Sequence, residues 1–151
     1  MSTAPAARAV VTRRIGAAAE RVFDAWLDPA KVRQWFAPGH GEMTRVEVDA
    51  RVGGSFWFVQ RRAAGEAVHT GEYLELDRPH RLAFTWRTPP ATDASRVIID
   101  IASTAEGCEV TLTHGMEPKF ESFKDRAAQA WGTMIEALGR AVVDGPDPRE
   151  R

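Results

Sequence analysis

The sequence predicts an α+β protein, and three observations support that class. Residues Phe120 to Val142 place apolar side chains three or four positions apart: Phe120, Phe123, Ala127, Trp131, Met134, Leu138 and Val142. That spacing is one buried stripe of a long amphipathic helix, the only long helix in the chain. Between Met43 and His114 the apolar period is two instead, as in strands with one buried face. The connections between those strands are short, which implies an antiparallel meander. A broad aromatic helix stripe needs a large apolar surface opposite it, and the sheet is the element able to supply one.

Each element follows from local signals. The first strand is expected over Ala9 to Ile15 and ends at Gly16. Ala17 to Leu27 reads as a short helix with Val22, Phe23 and Trp26 on one face. Asp28-Pro29 then restarts a helix, because the Asp side chain caps it and proline lacks the donor left unpaired at that position. This second helix presents Val32, Trp35 and Phe36 and stops at Pro38-Gly39. Val46 and Val48 alternate up to the Gly53-Gly54 turn. Phe56, Phe58 and Gln60 share one face of the next strand, with Trp57 facing outward. A loop over Ala63 to Glu66 turns at Gly65 and leads to a strand over Val68 to Leu76. The Asp77–His80 connection precedes Leu82, Phe84 and Trp86, which alternate. The segment from Thr88 to Ser95 is a loop around Pro89-Pro90. Val97, Ile99 and Ile101 alternate, Glu106-Gly107 reverses the chain, and Val110, Leu112 and His114 alternate again. The order is one strand, two helices, six strands and the long helix.

Composition narrows the function classes. The chain has 151 residues, 44% hydrophobic and 27% charged, enough for one globular domain with its own core. A net charge of −1, with arginines and acids interspersed, argues against nucleic acid or an anionic membrane as the main partner. The single cysteine, Cys108, cannot form an internal disulfide and fits a reducing compartment, hence the cytoplasm. The first residues show no leader or apolar span, and residues 1–8 and 144–151 read as flexible tails around a domain at 9–143.

Catalytic machinery is not visible. His40, His69, His80 and His114 are scattered singly, none with the i, i+4 spacing of a helical zinc pair. No metal and no cofactor is expected, because no nucleophile elbow, phosphate loop or dinucleotide fingerprint is present and Gly53-Gly54 has no helix after it. Two polar residues fall on inward parities. Glu72 shares the parity of Leu74 and Leu76, and His114 that of Val110 and Leu112. Burying a carboxylate is costly unless it is paired. A local register slip, an exposed strand end or an internal hydrogen bond would explain both residues. So would a role as orienting groups in an apolar pocket. The aromatics Trp35, Phe36, Phe56, Phe58, Phe84, Trp86, Phe120, Phe123 and Trp131 read as core or as pocket lining.

Several segments, taken together in order and spacing, resemble a known family. They are Val22-Phe23-Asp24-Ala25-Trp26 with Asp28-Pro29, Trp35 and Pro38, Arg51-Val52-Gly53-Gly54, Gly71, Arg81 to Trp86, Thr111 to His114, and Trp131-Gly132. The chain, from about Val10 to Val142, is similar to bacterial relatives of the C-terminal domain of the activator of the ninety-kilodalton heat-shock protein ATPase. These belong to the START-like, birch-pollen-allergen-like (SRPBCC) superfamily. The resemblance implies a helix-grip fold, a seven-stranded antiparallel sheet around the C-terminal helix with a hydrophobic cavity between them. The eukaryotic activator's additional N-terminal domain has no counterpart in this sequence. Gly132 and Gly139 depart from a good helix, each costing about 1 kcal/mol relative to alanine. Close packing against the sheet is one explanation, and a helix that shifts to admit a ligand is the other.

The expected function is binding of a small apolar or amphipathic molecule, as carrier or sensor. Trp35 and Phe36 are expected near the cavity mouth and Trp86 and Met116 in its lining. Phe56, Phe58, Glu72, Phe84, His114, Phe123, Trp131 and Met134 complete the expected contacts. A regulator of a chaperone ATPase, and a cyclase or hydrolase whose acid–base role would fall to Glu72, His114 or both, are the alternatives. Trp57 on the outer face offers a contact for a homodimer.

Overall fold

The computed structural model describes residues 7–89, 94–116 and 118–143. Seven antiparallel strands form one sheet in the order β1-β7-β6-β5-β4-β3-β2. The strands are β1 (Ala7–Ile15), β2 (Glu42–Val48), β3 (Ser55–Arg62), β4 (Gly65–Asp77), β5 (Arg81–Trp86), β6 (Ser95–Thr104) and β7 (Gly107–Met116). Helices α1 (Ala19–Leu27) and α2 (Pro29–Trp35) lie between β1 and β2, and α3 (Lys124–Val143) follows the sheet. This is the expected α+β helix-grip arrangement. The first strand begins at Ala7, ahead of its expected start. The readings for residues 1–6 and 144–151, and part of the Thr88–Ser95 loop, lie outside the described residues.

Local chemistry places the helices. Asp28 accepts a hydrogen bond from the Ala30 amide at 3.0 Å, with Pro29 at the first helical position, so α2 starts where the sequence indicates. Trp35 Nε1 donates to the Ala25 carbonyl at 2.9 Å and ties α2 back to α1. Lys31 Nζ donates to the Ala141 carbonyl at 3.2 Å, satisfying one of the free carbonyls at the end of α3. Trp131, Met134, Ile135, Leu138 and Val142 are buried along α3.

The helix is shorter than its apolar stripe suggests. Pro118–Phe123 forms a 3₁₀ turn, and the α-helix begins only at Lys124. In a 3₁₀ turn residues i and i+3 eclipse, so Phe120 and Phe123 share a face even without α-helical geometry. That face is only half covered, at 39% and 41% exposure. The two helix glycines are close-packing sites. A Cβ at Gly132 would lie 2.7 Å from Arg13 Nη2, and one at Gly139 would lie 3.5 Å from the Ile15 side chain. Both face β1.

One irregularity changes the reading of β4. The β4–β5 register shifts between Tyr73 and Glu75, so Leu74 is an inserted residue and the alternation inverts there. Tyr73 is buried opposite Phe84, and Leu76 packs on the core opposite Leu82. Glu72 is therefore exposed, contrary to its expected inward position.

Candidate functional site

The C-terminal half of α3 enters the core through Ile135, Leu138 and Val142. Its first half, Arg126 to Met134, instead lines a cavity of about 830 Å³ facing the ends of β3 to β7. That volume falls within the range of small-molecule pockets, roughly 300–1,000 Å³. The deep wall includes Phe36, Trp86, Met116, Trp131 and Met134. His40, Phe120, Phe123, Arg126 and Gln129 are exposed members of the lining and form its rim.

Trp86 separates this cavity from a filled aromatic core. On one side its ring lies 5.8 Å from Phe56 and 6.1 Å from Phe84. On the other it meets Trp131 at 5.0 Å and His69 at 5.3 Å. Phe36 packs on His69 at 4.8 Å and closes the wall from the α2 side. Such offset and edge contacts each add about 0.5–1.5 kcal/mol beyond the area they bury, so the wall is stiff.

Polar groups in the wall are held by directed hydrogen bonds. Trp131 Nε1 donates to His114 Nδ1 at 3.0 Å, which fixes Nδ1 as an acceptor. The remaining imidazole proton then sits on Nε2 and is donated to Ser95 Oγ at 2.6 Å, and Ser95 Oγ donates to the Trp86 carbonyl at 3.2 Å. The chain runs one way from α3 through β7 and β6 to β5. Burial holds the His114 imidazole down to about 4, below its usual range near 6.5. A second proton on His114 would face the Trp131 N–H, so geometry and burial agree on a neutral ring.

His69 has a different environment. Its Nδ1 is buried with no hydrogen-bond partner among the described residues. Burial first, and the Arg62 guanidinium second, hold this imidazole down to about 4, while the Phe58 backbone pulls weakly the other way. Arg62 Nε donates to Gln60 Oε1 at 2.7 Å. Gln60 Nε2 in turn donates to the Ala37 and Gly41 carbonyls at 3.1 and 3.2 Å, which fixes the loop between α2 and β2.

Comparison with known proteins places the chain. The sequence pattern described as activator of Hsp90 ATPase homolog 1-like protein matches residues 16–142. The chain belongs to that family. A crystal structure of a Chromobacterium violaceum protein is 26% identical, with a TM-score of 0.79 over 93% of this chain and 99% of that one. An AHSA1-like protein from Aeromonas hydrophila, solved by solution NMR, is 25% identical, with a TM-score of 0.74 over 89% and 91% of the two chains. A Nitrosomonas europaea protein shares the fold at a TM-score of 0.81 and 21% identity, over 93% of this chain and 96% of that one. A search of curated proteins gives no match.

In this AHSA1-like chain, the cavity brings together Phe36, Trp86, His114, Met116, Phe123, Trp131 and Met134. Trp35, expected at the mouth, is buried between Trp26 and Phe58 and does not line the cavity. Phe56, Phe58 and Phe84 fill the core behind Trp86 instead. Glu72 lies on the outer face. Glu72 and His114 therefore do not converge on one cavity position as an acid–base pair. Sequence reasoning missed His69, Arg62 and Arg126 in the lining. His69 shares the parity of the buried Tyr73 and not that of Leu74 and Leu76, on which the sequence reading of β4 relied.

Proposed function

We propose that this chain binds a small apolar or amphipathic molecule between the sheet and the first half of α3. The observation behind this reading is the about 830 Å³ cavity walled by Phe36, Trp86, Trp131 and Met134, open at a rim that includes Phe120 and Phe123. Each 100 Å² of ligand apolar surface buried there contributes about 2.5 kcal/mol before the costs of association. The wall is pre-formed, since Trp86 and Trp131 are tied together through Ser95 and His114. A ligand therefore meets ordered surfaces and spends little affinity on arranging them. Native mass spectrometry against lipids and aromatic metabolites, followed by calorimetry on the hits, tests the reading. A stoichiometric complex with micromolar or tighter affinity is expected. Failure of the whole panel to bind would defeat it.

The family match supports a second reading, regulation of a ninety-kilodalton heat-shock chaperone ATPase, through the family's name. Chaperone turnover measured with saturating amounts of this protein decides it, and unchanged turnover rejects it.

A further inference from the structure

We infer that the ligand of this cavity carries an anionic head group, a carboxylate in its simplest form, held by Arg62 and Arg126 of the lining with its apolar body against Trp86 and Trp131. The inference rests on the ligand-binding reading above and narrows it by charge.

The chain as a whole is nearly balanced, with 20 basic and 21 acidic residues. The cavity lining is not balanced. Among the described residues it holds two arginines and no aspartate or glutamate. Elsewhere on the surface several arginines sit beside carboxylates, as in Arg13–Glu136 at 2.9 Å, Arg78–Asp24 at 2.8 Å and Arg61–Glu42 at 3.6 Å, and others, such as Arg33 on the Met43 carbonyl, do not. Arg62 and Arg126 have no such partner among the described residues.

Arg62 is also held in place. Its Nε is committed to Gln60, and Gln60 is anchored to two backbone carbonyls, so the guanidinium is oriented, and its two terminal nitrogens make no hydrogen bond among the described residues. That geometry suits a carboxylate, which arginine grips through paired N–H groups. Arg126, in the same cavity lining, lies with its guanidinium carbon 5.8 Å from the Phe123 ring centroid. The positive field reaches into the cavity, because Arg62 adds to the burial that keeps His69 neutral. A cationic ligand would find no carboxylate among the described lining residues to offset this field. A neutral one would leave these donors of Arg62 to water. An amphipathic anion satisfies the two arginines and the apolar wall together.

Calorimetry with decanoate, 1-decanol and decyltrimethylammonium, which share one alkyl chain, separates the head group from the tail. Decanoate is expected to bind about tenfold tighter than decanol or better, as charge-assisted bonds allow, and the ammonium weakest of the three. Arg62→Gln and Arg126→Gln should each weaken decanoate about tenfold and leave decanol within about twofold. Arg61→Gln makes the same change in net charge on the opposite face of β3 and should alter neither. Thermal melts of the three variants confirm that each remains folded. Equal binding of decanoate and decanol overturns the head-group inference and leaves the pocket reading standing. So does an Arg61→Gln effect as large as that of Arg62→Gln. Failure of all three probes to bind removes the pocket reading, and this inference with it.

Discussion

Acidification should weaken this fold well before most of its carboxylates take up protons. His69 and His114 are both held down to about 4 in the fold, against about 6.5 in an unfolded chain. As pH falls below 6.5 the unfolded chain binds protons that the folded chain refuses until about pH 4. The unfolded state therefore holds more protons across that window, and stability falls steadily as pH falls through it. One fully shifted imidazole contributes up to about 3 kcal/mol over the window, at 1.36 kcal/mol per pH unit. His69 is only partly buried and counts for less, so the two together should remove about 3–5 kcal/mol by pH 4. Against a typical domain stability of about 5–15 kcal/mol, that is a large loss. Urea melts at pH 7.5, 6.5, 5.5 and 4.5 measure it. Trp131→Phe keeps a ring in place but deletes the N–H that faces His114 Nδ1. At pH 7.5 the variant should already be about 1–3 kcal/mol weaker, because a buried acceptor has lost its donor. Its further loss on acidification should be smaller than that of the parent protein, since Nδ1 can now take the proton. A parent stability that stays flat from pH 7.5 to 4.5 would refute the reasoning. Identical pH slopes in the two proteins would show that Trp131 has no part in keeping His114 neutral.

Two further outcomes follow from the packing. Trp131→Ala should cost about 3–5 kcal/mol, toward the lower end because the site adjoins a cavity that already exists. Trp57→Ala should cost only about 1 kcal/mol, since Trp57 is half-buried on the outer face beneath the Arg45 guanidinium at 5.2 Å. Thermal melts under identical conditions compare the two, and equal losses contradict the assignment of the inner face. Gly139→Ala should stabilise the protein by about 0.5–1 kcal/mol, because the new methyl group meets Ile15 at ordinary contact distance in a helix interior. A loss of stability in urea melts would mean that β1 cannot accept it.

The fold was legible in the sequence because its elements announce themselves locally. Period two marks the strands, Asp28-Pro29 restarts α2, and the apolar stripe from Ala127 to Val142 marks α3. The site was less legible, and two physical reasons account for most of the gap. The inserted residue at Leu74 inverts the parity of β4, which placed Glu72 inside and concealed His69; only the partner strand reveals such a bulge. The depth at which the interior stops being solid is the second reason. Phe56, Phe84 and Trp86 lie on the same inner face with identical sequence signals, yet only Trp86 borders the cavity. Which aromatic forms the boundary depends on where α3 begins. The 3₁₀ turn moved that start to Lys124, where the stripe through Phe120 and Phe123 had suggested an earlier one. Arg62 and Arg126 gave no sign, because a scattered arginine looks alike in sequence whether or not a carboxylate faces it.

The indole N–H resonances of the five tryptophans test the central claim most directly, because they report from both sides of the wall at once. Trp86 and Trp131 line the cavity, Trp26 and Trp35 lie in the filled core, and Trp57 is on the outer face. Titration with decanoate and with 1-decanol, followed by heteronuclear NMR, should shift the Trp86 and Trp131 signals saturably and leave that of Trp57 in place. Shifts centred on Trp57, or no saturable shift at Trp86 and Trp131 with either compound, would contradict the claim that this chain binds its ligand between the sheet and helix α3.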